Sequence, residues 1–316
     1  MLIVVFSYGI FRLSVQPEDK KSVKVGVIQG NIAQDLKWRQ DLRQEILGKY
    51  LSLTKLLAEK NPDLIIWPET SLPYWADKTD GSLKMIEDLL RKATSKPLLL
   101  GCVFSSQEEF FNSALFFTKE RISNYNKIHL VPFGEYIPLR KKLPVLEMIV
   151  NQVVPIADFS FGKEFTVFDF SPKFSVLICF EDTISNLSRN FVKNGARMLV
   201  NITNDAWFWD SSSPYQHLQS SVFRAVENHV SLVRSANTGV SCFINDKGKI
   251  HAYVQDEFGK KTFIQGVLVG DVSYQENAKL TFYTRYGDIF IFVCFGVAIY
   301  VIITKIIKRN KPKRNV

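Results

Sequence analysis

The sequence predicts an α/β layered domain followed by one transmembrane helix. Three observations carry that reading. Short strand-like runs rich in β-branched residues recur along the chain, and several are apolar throughout rather than alternating, as strands covered on both faces are. Amphipathic helical patterns lie between several of them. The chain then closes with an apolar run that has no polar face and is stopped by a cluster of cations.

In chain order, strand-like segments fall at 23–29, 64–67, 97–103, 113–118, 121–126, 174–179, 198–203, 241–245, 250–254 and 263–269. A helix is expected over 41–60, where Leu42, Ile46, Leu53, Leu56 and Leu57 keep helical spacing. Residues 83–93 and 185–194 read likewise, as does 215–228, with Leu218, Val222, Ala225 and Val226 on its expected buried face. No glycine/serine linker, repeat or charge run interrupts the block from about 17 to 285, which is therefore taken as one domain. One stretch departs from the pattern. Between 133 and 161 the chain is punctuated by Pro138, Pro144 and Pro155 yet stays apolar, with Val145, Leu146 and Ile149 among its residues. Such a segment is either tucked under another layer or forms a lid facing something apolar. With a membrane helix in the same chain, the lipid-facing lid is the reading adopted.

The apolar run at 289–304 would span about 24 Å as a helix, and about 28 Å when carried through Ile307 with Lys305 snorkelling. A bilayer core is roughly 30 Å thick, so 286–305 is assigned as a transmembrane helix. Tyr283 and Tyr286 lie where an aromatic belt belongs. The cations from Lys305 onward assign 306–316 to the cytoplasm and the preceding domain to the outer, periplasmic face of a bacterial inner membrane. Residues 1–16 are also apolar but too short to span. They lack a basic leader and a small-residue cleavage site, and read either as the end of a membrane helix or as an interfacial anchor.

Composition excludes several classes. With 46% hydrophobic and 22% charged residues the chain is neither disordered nor of low complexity. Its net charge of +9 is concentrated in the last twelve positions, where six cations stand without an acid. A nucleic-acid partner is therefore not expected. Four cysteines without a CxxC pair exclude a disulfide scaffold, and the histidines at 129, 217, 229 and 251 show no metal-ligand spacing, so no metal or cofactor is expected.

Candidate chemistry lies at the ends of buried strands. Glu69 follows Trp67-Pro68, where open α/β sheets place ligands, and a partly desolvated carboxylate there is suited to general-base work. Cys179 ends another strand just before a helix. It needs a cation to stabilise its thiolate, because Glu181 and Asp182 do the opposite. Lys127, between a strand and a Pro/Gly-rich loop, is the candidate cation. His129 reads as a hydrogen-bonded structural residue, and Cys102, Cys242 and Cys294 as packing or lipid-facing residues.

Four motifs taken together are more specific. They are Trp67-Pro68-Glu69-Thr70, Tyr125-Asn126-Lys127-Ile128-His129-Leu130-Val131-Pro132-Phe133-Gly134-Glu135, Ile178-Cys179-Phe180-Glu181 and Thr203-Asn204-Asp205-Ala206-Trp207-Phe208. In order and spacing the chain resembles the carbon–nitrogen hydrolase (nitrilase) superfamily and, within it, the membrane branch of apolipoprotein N-acyltransferases. The resemblance implies a nitrilase-like α-β-β-α sandwich and a catalytic triad of Glu69, Lys127 and Cys179. Glu135 would be a second acid near the nucleophile, and Glu181 would organise the site. The implied reaction moves an acyl chain from a phospholipid, through a Cys thioester, to the α-amino group of the diacylglyceryl-cysteine of an apolipoprotein. Trp207, Phe208 and Trp209, with Val145, Leu146 and Ile149 of the lid, would meet lipid; packing is an equal reading for the three aromatics. The family commonly has glycine where Trp209 stands, and carries further membrane helices before its catalytic domain. A membrane-tethered amidase or nitrilase, in which water resolves the intermediate, is the alternative; a catalytically silent binding module is a third, disfavoured by the presence of all three triad residue types.

Overall fold

Strand β1 (Lys21–Gln29) shows why two sheets form. Val23, Val25 and Val27 belong to one apolar core and Ile28 to another, so both faces of the strand are covered. A computed structural model describes residues 2–14, 19–77, 79–106, 108–138 and 158–309. In the first sheet β1 pairs in parallel with β2 (Leu64–Ile66), which pairs in parallel with β4 (Leu98–Ser106). The antiparallel strands β5 (Glu109–Phe117) and β6 (Ile122–Asn126) extend it on one side and β12 (Gly266–Tyr274) on the other. The short β3 (Trp75–Asp77) pairs with the far end of β4. The second sheet runs β11 (Ile250–Tyr253), β10 (Cys242–Ile244), β9 (Ser231–Ala236), β8 (Met198–Thr203), β7 (Phe174–Ile178), with β7, β8 and β9 parallel.

The sheets meet face to face. Leu64, Ile66, Leu99 and Phe116 of the first share a core with Val176, Ile178, Val200 and Val233 of the second. Fully burying one such side chain contributes about 1.5–3 kcal/mol. The opposite face of the first sheet, with Ile65, Leu98, Leu100 and Leu115, is covered by α2 (Arg43–Glu59) and α3 (Ser82–Arg91). Helices α4 (Ser185–Lys193) and α5 (Ser213–Asn228) cover the second sheet through Leu187, Phe191, Leu218 and Ala225. The layers are therefore α-β-β-α.

Two strands escape the sequence reading. β3 is only three residues long, and β9 carries Arg234 in its middle, which reads as a break. The strand expected from 263 starts at Gly266 and runs on to Tyr274. The buried face of α5 also differs from the apolar one expected. Leu218 and Ala225 are buried, but Val226 is 47% exposed, and the buried stripe continues through His217, Ser221, Arg224 and Asn228. His217 and Ser221 of that stripe meet the buried carboxylates described below, Arg224 meets the carbonyls of Asp182 and Thr183, and Asn228 meets Ser188.

Helix α6 (Phe282–Tyr286) leads directly into α7 (Ile289–Arg309), whose stretch Ile289–Ile307 is long and apolar enough to cross a membrane and is not buried against the domain. At the other end α1 (Leu2–Ser14) is likewise apolar but has only 13 residues. Val145, Leu146 and Ile149 of the expected lid lie outside the described residues.

Candidate active site

Glu69, Lys127 and Cys179 arrive from the ends of β2, β6 and β7. Trp67, fully buried, stacks on Tyr50 of α2 at 4.9 Å and donates to Thr54 Oγ1 at 2.9 Å, which pins the turn that follows. Glu69 is 6% exposed. Its Oε1 accepts from Asn112 Nδ2 at 2.8 Å and its Oε2 from the Asn204 N–H at 2.8 Å. The turn lies so close to β4 that a Cβ on Gly101 would meet Glu69 Cα and the Thr70 nitrogen at 2.6 Å, which is why this position is glycine.

Lys127 is 1% exposed. Its ammonium donates to Glu135 Oε1 at 2.9 Å and stands 3.8 Å from Glu69 Oε1. Asn112 Nδ2 also reaches Glu135 Oε1, at 2.7 Å, so one amide and one ammonium hold the two acids together. Burial alone would lower the Lys127 pKa, but Glu69, Cys179, Glu135 and Glu181 together hold it above the ordinary lysine value. Lys127 is a fixed cation.

Cys179 opens a 3-10 turn, Cys179–Thr183, with φ of +53°, a left-handed conformation rare outside glycine. Such a sharp strand-to-helix turn lifts the side chain off the end of the sheet. Cys179 is 8% exposed, so it is nearly but not wholly enclosed. Burial pushes its thiol pKa up; the Glu69 charge adds to this, while Lys127 and a hydrogen bond with Thr203 oppose it. The expected lowering by Lys127 is present but outweighed, so the sulfur rests as a thiol.

Glu181 ties the elbow to the Lys127 loop. Its Oε1 accepts from the N–H groups of Ile128 (2.8 Å) and His129 (3.0 Å), its Oε2 from that of Ile178 (2.8 Å), and Tyr125 Oη donates to it at 2.8 Å. Burial raises its pKa to about 7, against the pull of Lys127 and these donors. His129 serves here through its backbone, its ring side being exposed. Cys102 and Cys242 are core residues, and Cys294 is exposed on α7.

Below the elbow lies a second polar group. Arg234, fully buried, donates to Asp182 Oδ2 at 3.1 Å and Asp205 Oδ2 at 3.0 Å. His217 bridges the same two acids, Nε2 to Asp182 and Nδ1 to Asp205, each at 2.9 Å. Burial and Arg234 lower the His217 pKa, but the two acids raise it above 6.5 on balance. Two carboxylates thus share one guanidinium and one imidazole, and Arg234 also stands 3.0 Å from His217 Nδ1.

Trp207 and Trp209 are 61% and 79% exposed, and Phe208 packs edge-on against Phe180, the residue after Cys179. The aromatic residues therefore line the outside of the elbow rather than the core. Trp209 adopts φ +50° and ψ −161°, a conformation natural to glycine. Among the described residues no cluster of three or more potential metal ligands occurs.

Residues 24–276 match the family described as carbon-nitrogen hydrolase. The chain belongs to that family. Within it, the chain is 39% identical over 306 residues to a Geobacter metallireducens protein named apolipoprotein N-acyltransferase, covering 94% of this chain and 56% of the relative. A protein of the same name from Allorhizobium ampelinum is 33% identical, covering 77% and 48%. The chain thus spans about half the length of the curated relatives it matches. A nitrilase-superfamily amidase from Nesterenkonia shares the fold with a TM-score of 0.58 at 16% identity, over 82% of this chain and 93% of that one.

Sequence reasoning missed three residues of the site. Asn112 and Asn204 fix Glu69, and Lys37, only 4% exposed, donates to the Glu69 carbonyl at 3.0 Å. Asn112 and Asn204 lie on or beside strands that end near Glu69, a signal that could have found them, whereas Lys37 lies in the loop after β1 and carries no such local signal.

Proposed function

We propose that this chain carries the catalytic portion of a membrane-bound N-acyltransferase, which moves an acyl chain from a phospholipid to the α-amino group of a lipoprotein's diacylglyceryl-cysteine. The observation that carries the reading is the meeting of Glu69 and Lys127 around Cys179, in a chain whose terminal helix suits a bilayer. The relatives' name supports the choice of reaction.

Because the sulfur rests protonated, its proton leaves during attack rather than before it. Glu69 takes that proton as sulfur bonds to the phospholipid ester carbon. The carbonyl oxygen becomes an oxyanion, stabilised by Lys127 and the backbone N–H following Cys179; removing one such donor typically slows reaction on the order of 10²–10³. Collapse expels the lysophospholipid oxygen, which receives the proton from Glu69 and leaves a thioester. The acceptor amine then attacks the thioester carbon and gives a proton to Glu69. The C–S bond breaks, and the thiolate recovers that proton. Glu135 and Asn112 keep Lys127 and Glu69 in place throughout. In this reading the domain faces the periplasm, α7 crosses the inner membrane, and the C-terminus is cytoplasmic. Trp207, Phe208 and Trp209 meet the acyl chains.

Intact-mass measurement after incubation with phosphatidylethanolamine vesicles tests the proposal. An adduct of acyl mass is expected on the wild type and not on Cys179→Ala. No adduct on the wild type, or release of free fatty acid with no transfer to an added lipopeptide amine, would overturn it.

A further inference from the structure

Lys37 lies in the loop after β1 and is buried against the turn that carries Glu69. Its one hydrogen bond among the described residues goes to the Glu69 carbonyl at 3.0 Å. An ammonium has three N–H donors, and an unsatisfied buried donor is unfavourable unless something arrives to accept it. The titratable groups facing Lys37 are Glu69, on the turn after β2, and Cys179, on the elbow. Lys127 and Glu135 stand behind Glu69, and Asp35 and Arg39 of its own segment are exposed.

The two lysines differ in how far their charge is already neutralised. Lys127 touches Glu135 at 2.9 Å and stands 3.8 Å from Glu69, so two carboxylates share its charge. Lys37 touches only a neutral carbonyl oxygen. A developing anion on a substrate bound to Cys179 would therefore be met more strongly by Lys37.

We propose that Lys37 is a second oxyanion cation of the site, and the less neutralised of the two. It donates N–H hydrogen bonds to the oxygen of the tetrahedral adduct, while Lys127 chiefly holds the paired carboxylates. The proposal rests on the acyl-transfer reading. In the step concerned the S–C bond forms and the carbonyl π electrons move onto oxygen. Lys37 keeps its proton, and the leaving oxygen takes its proton from Glu69. Burial lowers the Lys37 pKa to about 8, against the pull of Glu69 and Cys179, so its charge is lost in a measurable range.

The test compares the wild-type chain, Lys37→Met and Lys37→Arg in detergent micelles, with p-nitrophenyl butyrate as acyl donor and the p-nitrophenolate burst reporting acylation. Lys37→Met is expected to slow the burst on the order of 10²–10³. The wild type should lose rate above about pH 8, as the ammonium deprotonates, and Lys37→Arg should move that fall to higher pH because guanidinium keeps its charge. A burst unchanged in Lys37→Met, or an alkaline fall unmoved in Lys37→Arg, overturns the proposal. Should Lys37→Met fail to fold, the Lys37→Arg profile decides alone. Should the wild type give no burst, iodoacetamide alkylation of Cys179 decides: Lys37→Met should slow it at a given pH, and an equal rate overturns the proposal. A wild type that gives the burst but no adduct from phosphatidylethanolamine refutes the phospholipid reading while leaving Lys37 tested.

Discussion

Replacing Arg234 by methionine isolates the energetics of the polar cluster beneath the Cys179 elbow. Arg234→Met preserves much of the side-chain volume and removes the guanidinium. What remains is a pair of carboxylates, Asp182 and Asp205, both wholly buried and bridged by His217, with no guanidinium between them. Breaking one buried pair by removing a partner destabilises by about 3–5 kcal/mol, because a buried charge is left uncompensated. At about 2–4 °C per kcal/mol for a domain of this size, the Tm should fall by on the order of 10 °C. The assay is thermal unfolding of the full chain in micelles, followed by tryptophan fluorescence at one fixed scan rate. A second variant gives the sign. Adding Asp205→Asn to Arg234→Met removes the orphaned charge, so the double variant should melt above the single one. A single variant within about 2 °C of wild type, or a double variant melting below the single, would refute Arg234 as the charge that compensates the two buried acids.

Two further outcomes follow from the same geometry. His217 holds its proton more tightly folded than unfolded, so its contribution is fully present below pH 6.5 and is lost as pH rises through its folded value. The wild-type Tm should therefore decline above pH 6.5 more steeply than that of His217→Asn; parallel curves would sink the idea. Gly101→Ala would push a methyl group against the backbone of Glu69 and Thr70, at 2.6 Å. With Glu69 as the proposed base, a displacement of about 1 Å slows reaction roughly 10²-fold, so acyl-adduct formation should fall by that order, and an unchanged rate would mean that the turn yields freely.

The layered architecture was legible because apolar periodicity is a local signal. Leu64, Ile65, Ile66 and Trp67 read as a strand covered on both sides, and all four are wholly buried. What the pattern hid was burial that depends on distant partners. Arg234 looks like a surface residue until Asp182 and Asp205, 52 and 29 positions away, arrive beside it, and the same carboxylates meet His217 and Ser221 on the buried face of α5. Glu69, Lys127 and Cys179 stood out through motif spacing. Lys37 sits in a loop with no strand or helix of its own, and only the closure of β1 against β2 brings it to the Glu69 carbonyl.

The junction between α6 and α7 has a mechanical consequence. Thr281 caps α6 and bonds the Glu227 carbonyl at 2.6 Å, Thr284 bonds Asn228 at 3.0 Å, and Arg189 bonds the Thr284 carbonyl at 3.0 Å. Only Gly287 and Asp288 separate this stitched helix from the apolar one. Each residue inserted into a helix advances it by 1.5 Å and turns it by about 100°. In the proposed membrane arrangement the globular body is therefore joined to its spanning helix by a bonded helix and two residues rather than by a long tether, so the length of that joint sets how far the body stands from the lipid.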